Sequence, residues 1–220
     1  MLLGSIEAGG TKFVCAVGNE DYRIMDSTKF PTTTPAETLQ KCIDYFKQFN
    51  DLQAISIASF GPIEIRRNSP KYGYITNTPK PGWADTDFVG TLKKAINVPI
   101  AWTTDVNGSA YGEYVLSTLF NQRLRSLVYF TIGTGVGGGA VVDGHFLGDL
   151  GHPEMGHIRV IQMILIFQAS VRFMATVWKV WSAGRLLRHG RERRVKTCRL
   201  MIMSGILWPI MLRRLPSTRP

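Results

Sequence analysis

Apolar positions open the chain in two short runs, residues 2–6 and 13–17, with Gly9 and Gly10 adjacent between them. That spacing predicts two strands joined by a hairpin turn. The period then changes: Leu39, Cys42, Ile43 and Phe46 recur three and four apart behind Pro35, which predicts an amphipathic helix over residues 34–49. The short apolar run 54–59 predicts a buried strand, and the Pro- and Gly-rich residues 79–83 a rigid loop. A helix over 87–96, a strand over 100–103 and a helix over 108–120 follow. Strands over 126–132 and 139–142 flank a second glycine turn, residues 133–139. Strands alternating with helices place the chain in the α/β class.

Composition narrows the picture. At 220 residues, 45% hydrophobic and 19% charged, the chain has enough apolar material for a core, which excludes a disordered polymer or a disulfide-stapled miniprotein. Cys15, Cys42 and Cys198 form no CxxC pair and no basic, apolar leader opens the sequence, so free thiols and a cytoplasmic location are expected. Charge is uneven. Residues 1–160 hold 14 Lys+Arg against 15 Asp+Glu, whereas residues 161–220 hold 12 Lys+Arg against Glu192 alone. Such asymmetry reads at face value as a nucleic-acid or anionic-membrane arm, with six Lys+Arg and His189 in 185–196 and a short apolar stretch at 161–167.

Four segments could carry chemistry. In GSIEAGGTKFVCAV, Glu7, Gly9, Gly10, Thr11 and Lys12 sit at the first turn, where glycines expose backbone N–H groups to phosphate oxygens. An ordinary hairpin turn is the better explanation of two glycines alone; a second such turn, GTGVGGG, with Gly133, Thr134, Gly135 and Gly137, points to nucleotide held between two lobes. In TTDVNGSAYG, Asp105 ends a predicted strand as a candidate base and Asn107 stands where a helix N-cap belongs; both could be simple caps. In GDLGHPEMGH, Glu154 and His157 could hold sugar hydroxyls or begin a metal site, although a lone His is usually structural.

Together the stretches SIEAGGTKFVCAV, SIASFGPIE, GYITNTPKPGW, TTDVNGSAYGE, FTIGTGVGGG and GHPEMGH resemble the ROK sugar kinases, in their bacterial fructokinase branch, over about residues 3–160. The resemblance implies an actin-like, ribonuclease-H-type fold of two lobes. It implies transfer of the γ-phosphate of ATP to the 6-hydroxyl of fructose, with Asp105 as catalytic base. Glu7, Gly9, Gly10, Thr11 and Lys12 would surround the phosphates with Mg²⁺ nearby, although most relatives outside this branch place Asp where Glu7 stands. Gly133, Thr134, Gly135 and Gly137 would bind ATP, and Asn107, Glu154 and His157 would face the sugar. His157 would also be the first ligand of a structural Zn²⁺ whose remaining ligands follow in a C-P-x-H-G-x-C stretch. An intact member would be a homodimer. Residues 1–118 would form the first lobe, 119–160 the start of the second, and 161–220 no native domain.

No zinc stretch follows His157 in this chain. The resemblance stops near residue 160, where the composition jumps, and the genetic code offers a reason. Each codon junction in SVRFMATVWKVW, residues 170–181, can be re-read as the last base of one codon and the first two of the next. Met174–Ala175 then forces Gly, Trp178–Lys179 forces Glu, and the remaining junctions permit CPFHGDCLEGL, the missing stretch. Residues 201–209, MIMSGILWP, permit DHVWDIMA in the same frame, which resembles a later helix of the family. The last 60 residues therefore read as out-of-frame translation after one lost base. On this reading the basic tail is no nucleic-acid or membrane arm, and the chain as written is expected to be poorly soluble and inactive. Two other functions compete. One is a ROK hexokinase acting on glucose or mannose; the other is a sugar-responsive ROK regulator, whose DNA-binding helices have no room before Leu2.

Overall fold

A computed structural model describes residues 1–119, 124–132, 136–148 and 151–157. Along the chain these form β1 (Leu2–Ala8), β2 (Lys12–Asn19), β3 (Ile24–Pro31), α1 (Pro35–Phe46), β4 (Leu52–Ser59), β5 (Tyr74–Ile75), β6 (Thr86–Asp87) and α2 (Phe88–Ala95). Then come β7 (Ile100–Thr104), α3 (Asp105–Leu119), β8 (Ser126–Ile132), β9 (Val136–Val142), β10 (His145–Phe146) and a 3₁₀ turn, Met155–His157. Residues 161–220, including Cys198, lie outside the described residues, as do Gly133, Thr134 and Gly135.

The first sheet has the order β3-β2-β1-β4-β7, antiparallel through β1 and parallel from β1 to β4 to β7. Side chains alternate across it with period two. Ile6, Ala8, Phe13, Cys15, Val17, Ile55 and Ile57 face one way and pack with α1 and α2 through Leu39, Cys42, Ile43, Phe46, Phe88 and Leu92. Leu3 faces the other way, toward Ala110, Tyr111 and Val115 of α3. Two caps set the helix starts: the Thr34 hydroxyl accepts from the Glu37 amide, and the Asp87 carboxylate from the Gly90 amide.

α3 lies between this sheet and a second one, β10-β9-β8, whose Leu127, Tyr129 and Val141 pack against it. Close approach here depends on missing side chains. A Cβ on Gly108 would stand 2.6 Å from the Ala58 Cβ, and one on Gly139 2.6 Å from the Val106 carbonyl oxygen. Gly137, Gly138 and Gly139 accordingly belong to β9 and not to a turn, correcting the expected start of that strand at 139. The first helix stops at Phe46, three residues short of the expected end. β3 was not expected at all.

Candidate active site

The parallel register places Ala8, Ser59 and Thr104 side by side at the ends of β1, β4 and β7. The next residues are therefore neighbours too: the glycine turn after Ala8, Phe60-Gly61 after Ser59, and Asp105 after Thr104. In open α/β sheets this carboxyl edge of the strands is where ligands bind.

Asp105 opens α3 instead of closing β7, and the helix starts three residues before the expected 108. Thr104 holds the N-cap position, its hydroxyl accepting from the Asn107 amide at 3.3 Å, so Asn107 is not the cap. Asn107 sits inside the first turn, buried, and its Nδ2 donates to the Gly151 carbonyl at 2.9 Å. Its Oδ1 is buried with no hydrogen-bond partner. The Asp105 carboxylate accepts its neighbour Val106's amide at 2.9 Å, yet withdrawal from water pushes its pKa up to about 6.

Glu7 lies on the α3 side of β1, paired with Val14 on one flank and Ala58 on the other. Burial between those apolar neighbours raises its pKa; the Lys12 ammonium lowers it, and the charge of Asp105 raises it. Lys12 and Asp105 thus both act on the Glu7 carboxyl electrically. The turn closes with the Gly9 amide donating to the Lys12 carbonyl at 3.0 Å, and Gly10 and Thr11 are exposed at its tip. A Cβ on Gly10 would meet nothing within 4 Å, so the tip of the turn is open on that side.

On the far side of α3, Asn107 fastens the loop that carries Glu154 and His157. The Glu154 carboxylate lies 3.0 Å from His157 Nδ1, and the Glu154 carbonyl accepts the His157 amide at 2.9 Å. This loop packs on β9, where a Cβ on Gly138 would strike Met155. The structure therefore joins Asn107 to the histidine loop, while Glu7, Lys12 and Asp105 form a second group. Gly137 lies in β9, paired with Thr131. An open groove of about 900 Å³ runs along β7 past Trp102 and Thr103 to Asn107 and Gly151, beside the Glu7–Asp105 pair and not over it.

No cluster of three His, Cys, Asp or Glu ligands occurs among the described residues. Cys15 and Cys42 are buried free thiols in the first core, with their sulfurs 3.7 Å apart and far along the chain from His157. The donors among the described residues do not fit a structural zinc. No helix among the described residues is long and apolar enough to cross a membrane. Sequence reasoning missed Thr32, whose hydroxyl donates to the Gly9 carbonyl at 2.7 Å. The run of three threonines before Pro35 was the available signal.

Comparison with known proteins places these features in context. The sequence profile of the ROK family matches residues 3–172, about a dozen residues beyond the expected end of the resemblance. The chain is 56% identical over 158 residues to a fructokinase from Streptococcus mutans, covering 71% of this chain and 53% of that one. It is 55% identical over 157 residues to a fructokinase from Lactococcus lactis, covering 71% and 52%. The chain spans about half the length of these curated relatives. Among solved structures, a ROK hexokinase from Thermus thermophilus superposes with a TM-score of 0.68 at 26% identity, covering 85% of this chain and 62% of that one.

Proposed function

The chain belongs to the ROK family, and on that premise we propose that it carries the phosphate turn, the base and part of the sugar site of an ATP-dependent fructokinase. Asp105 is the observation that carries this reading. It stands at the strand edge that also bears the glycine turn, coupled to Glu7, with its proton affinity raised toward neutrality. Identity of 56% to a fructokinase, against 26% to the hexokinase, favours fructose over glucose or mannose. A carboxylate prepared to accept a proton favours turnover over a sugar-responsive regulator.

In the proposed reaction Asp105 accepts the proton of the 6-hydroxyl as that oxygen bonds to the γ-phosphorus; the bond to the bridging oxygen breaks and ADP leaves with the electron pair. A carboxylate with a pKa near 6 is ionised at pH 7 and is a stronger base than an ordinary aspartate. Gly9, Gly10 and Thr11 would present amides to the polyphosphate, and Lys12 its ammonium. Glu7 fits Mg²⁺, a hard cation that prefers oxygen ligands, since its Oε2 is buried without a hydrogen-bond partner. Bound there, the ion would neutralise polyphosphate charge. Asn107 Oδ1 remains to accept from a sugar hydroxyl, and the Glu154–His157 pair would extend that contact. Gly133, Thr134 and Gly135, with Gly137, would complete the nucleotide side.

The lost-base reading of residues 161–220 belongs to this proposal. With the frame restored, a zinc stretch would follow His157, and the complete enzyme would be a cytoplasmic homodimer without nucleic-acid or membrane partners. The test is an assay of fructose 6-phosphate formation on two products of the gene, the 220-residue chain and the chain with one base restored near codon 160. Activity confined to the restored chain is expected. Turnover by the 220-residue chain would overturn the lost-base reading, and failure of an intact, folded restored chain on fructose with MgATP would overturn the fructokinase reading.

A further inference from the structure

The turn that would meet the phosphates is held from outside by a residue to which no role has been given. Thr32 follows β3 directly and is buried. Its hydroxyl donates to the Gly9 carbonyl at 2.7 Å, and its amide donates to the Thr11 carbonyl at 3.0 Å. These two carbonyls stand on either side of Gly10. A trans peptide is planar, with its C=O and N–H pointing in opposite directions. Pulling the Gly9 carbonyl toward Thr32 therefore turns the Gly10 amide the other way, away from Thr32 and β3.

The Thr32 segment is itself fixed from three directions. Lys80 Nζ donates to the Thr32 carbonyl at 3.4 Å, Trp83 Nε1 to the Thr33 carbonyl at 2.8 Å, and the Thr33 amide donates to the Thr38 hydroxyl of α1 at 3.0 Å. Trp83 is fully buried, so the loop supplying these bonds is anchored in the first core. The backbone bond from Thr32 to Thr11 merely continues the pairing of β2 with β3. The hydroxyl bond does something else: it reaches across to the end of β1.

We propose that Thr32 is a positioning residue that aims the Gly10 amide at a bound polyphosphate, with Lys80 and Trp83 bracing it. The inference rests on the phosphate reading of the turn. Its test uses T32V, which keeps the shape and loses the hydroxyl, and T32S, which keeps the hydroxyl. Both are made in the full chain and studied below its aggregation concentration. Hydrogen exchange of peptides covering residues 8–13 and binding of magnesium tripolyphosphate are measured. T32V is expected to exchange several-fold faster in residues 8–13 and to bind about tenfold more weakly, the size of one hydrogen bond to a charged ligand. T32S is expected to restore both. Wild-type binding with T32V equal to it, or unchanged exchange at residues 8–13, would overturn the inference alone. Failure of the wild-type chain to bind tripolyphosphate would remove the phosphate reading, and this inference with it.

Discussion

On the proposed reading Asp105 gives up stability for its role as base. Its carboxyl has a pKa raised to about 6 from an ordinary 3.8, because burial at the start of α3 removes water faster than the Val106 amide replaces it. The unfolded chain therefore gives up this proton at lower pH than the folded one. Below about pH 4 both states hold it and nothing is lost; between pH 4 and 6 the folded state is penalised increasingly, and above 6 the penalty is complete, about 3 kcal/mol at most. Asp105→Asn in the full chain should accordingly raise the thermal midpoint by several degrees at pH 7.5 and leave it unchanged near pH 4. The same group predicts the rate profile of the frame-restored enzyme. Its kcat/KM should climb about tenfold per pH unit up to about pH 6 and then level, and D105N should lose about 10²- to 10⁴-fold, the usual range for removal of a general base. A flat profile across pH 5–7 would show that Asp105 does not take the proton.

At the scale of elements, the parts that the sequence made legible are those buried on one periodic face. The apolar spacing of Leu39, Cys42, Ile43 and Phe46 marks α1, and the run around Ile55 and Ile57 marks β4, because both faces pack into one core. β3 escaped because it is an edge strand with most of its residues exposed, Met25 among them, so no alternation betrays it. The start of α3 was misplaced because Asn107, a good cap by type, is outcompeted by Thr104, whose hydroxyl stands at the strand end. Glu7 and Asp105 could be picked out from sequence, but their electrical coupling depends on parallel strand register, which no local pattern contains. Glycines were the most ambiguous letters. Gly10 stands at an open tip, whereas Gly139 lies where β9 crosses the backbone of Val106. Gly139→Ala should therefore destabilise the β9–α3 contact by about 1–3 kcal/mol, since backbone cannot move aside as a side chain can. Gly10→Ala should leave the thermal midpoint unchanged. Hydrogen exchange should show lost protection in β8 and β9 for the first variant, with β1 and β4 kept.

At the scale of the whole molecule, the second sheet has one face packed on α3 and another on which Met155 sits at Gly138 while several apolar side chains stay exposed. Leu127, Tyr129 and Val141 pack toward α3, while Val128, Ile132 and Val142 on the sheet's other side are 55%, 40% and 42% exposed. Among the described residues β8 pairs with β9 beside those exposed side chains. Exposed apolar side chains clustered on one face recruit others, so association of copies is expected. The basic residues of 161–220 offer a rival cause, through binding to anions. The two can be separated without altering charge. Val128→Thr with Ile132→Thr keeps β-branched strand formers while removing apolar surface, and should raise the soluble fraction with no change in net charge. Leu127→Thr, on the covered face, should lower it by opening the α3 contact. A soluble fraction that follows salt concentration and ignores the paired substitution would assign the association to the basic residues, and Val128, Ile132 and Val142 would then be a tolerated surface.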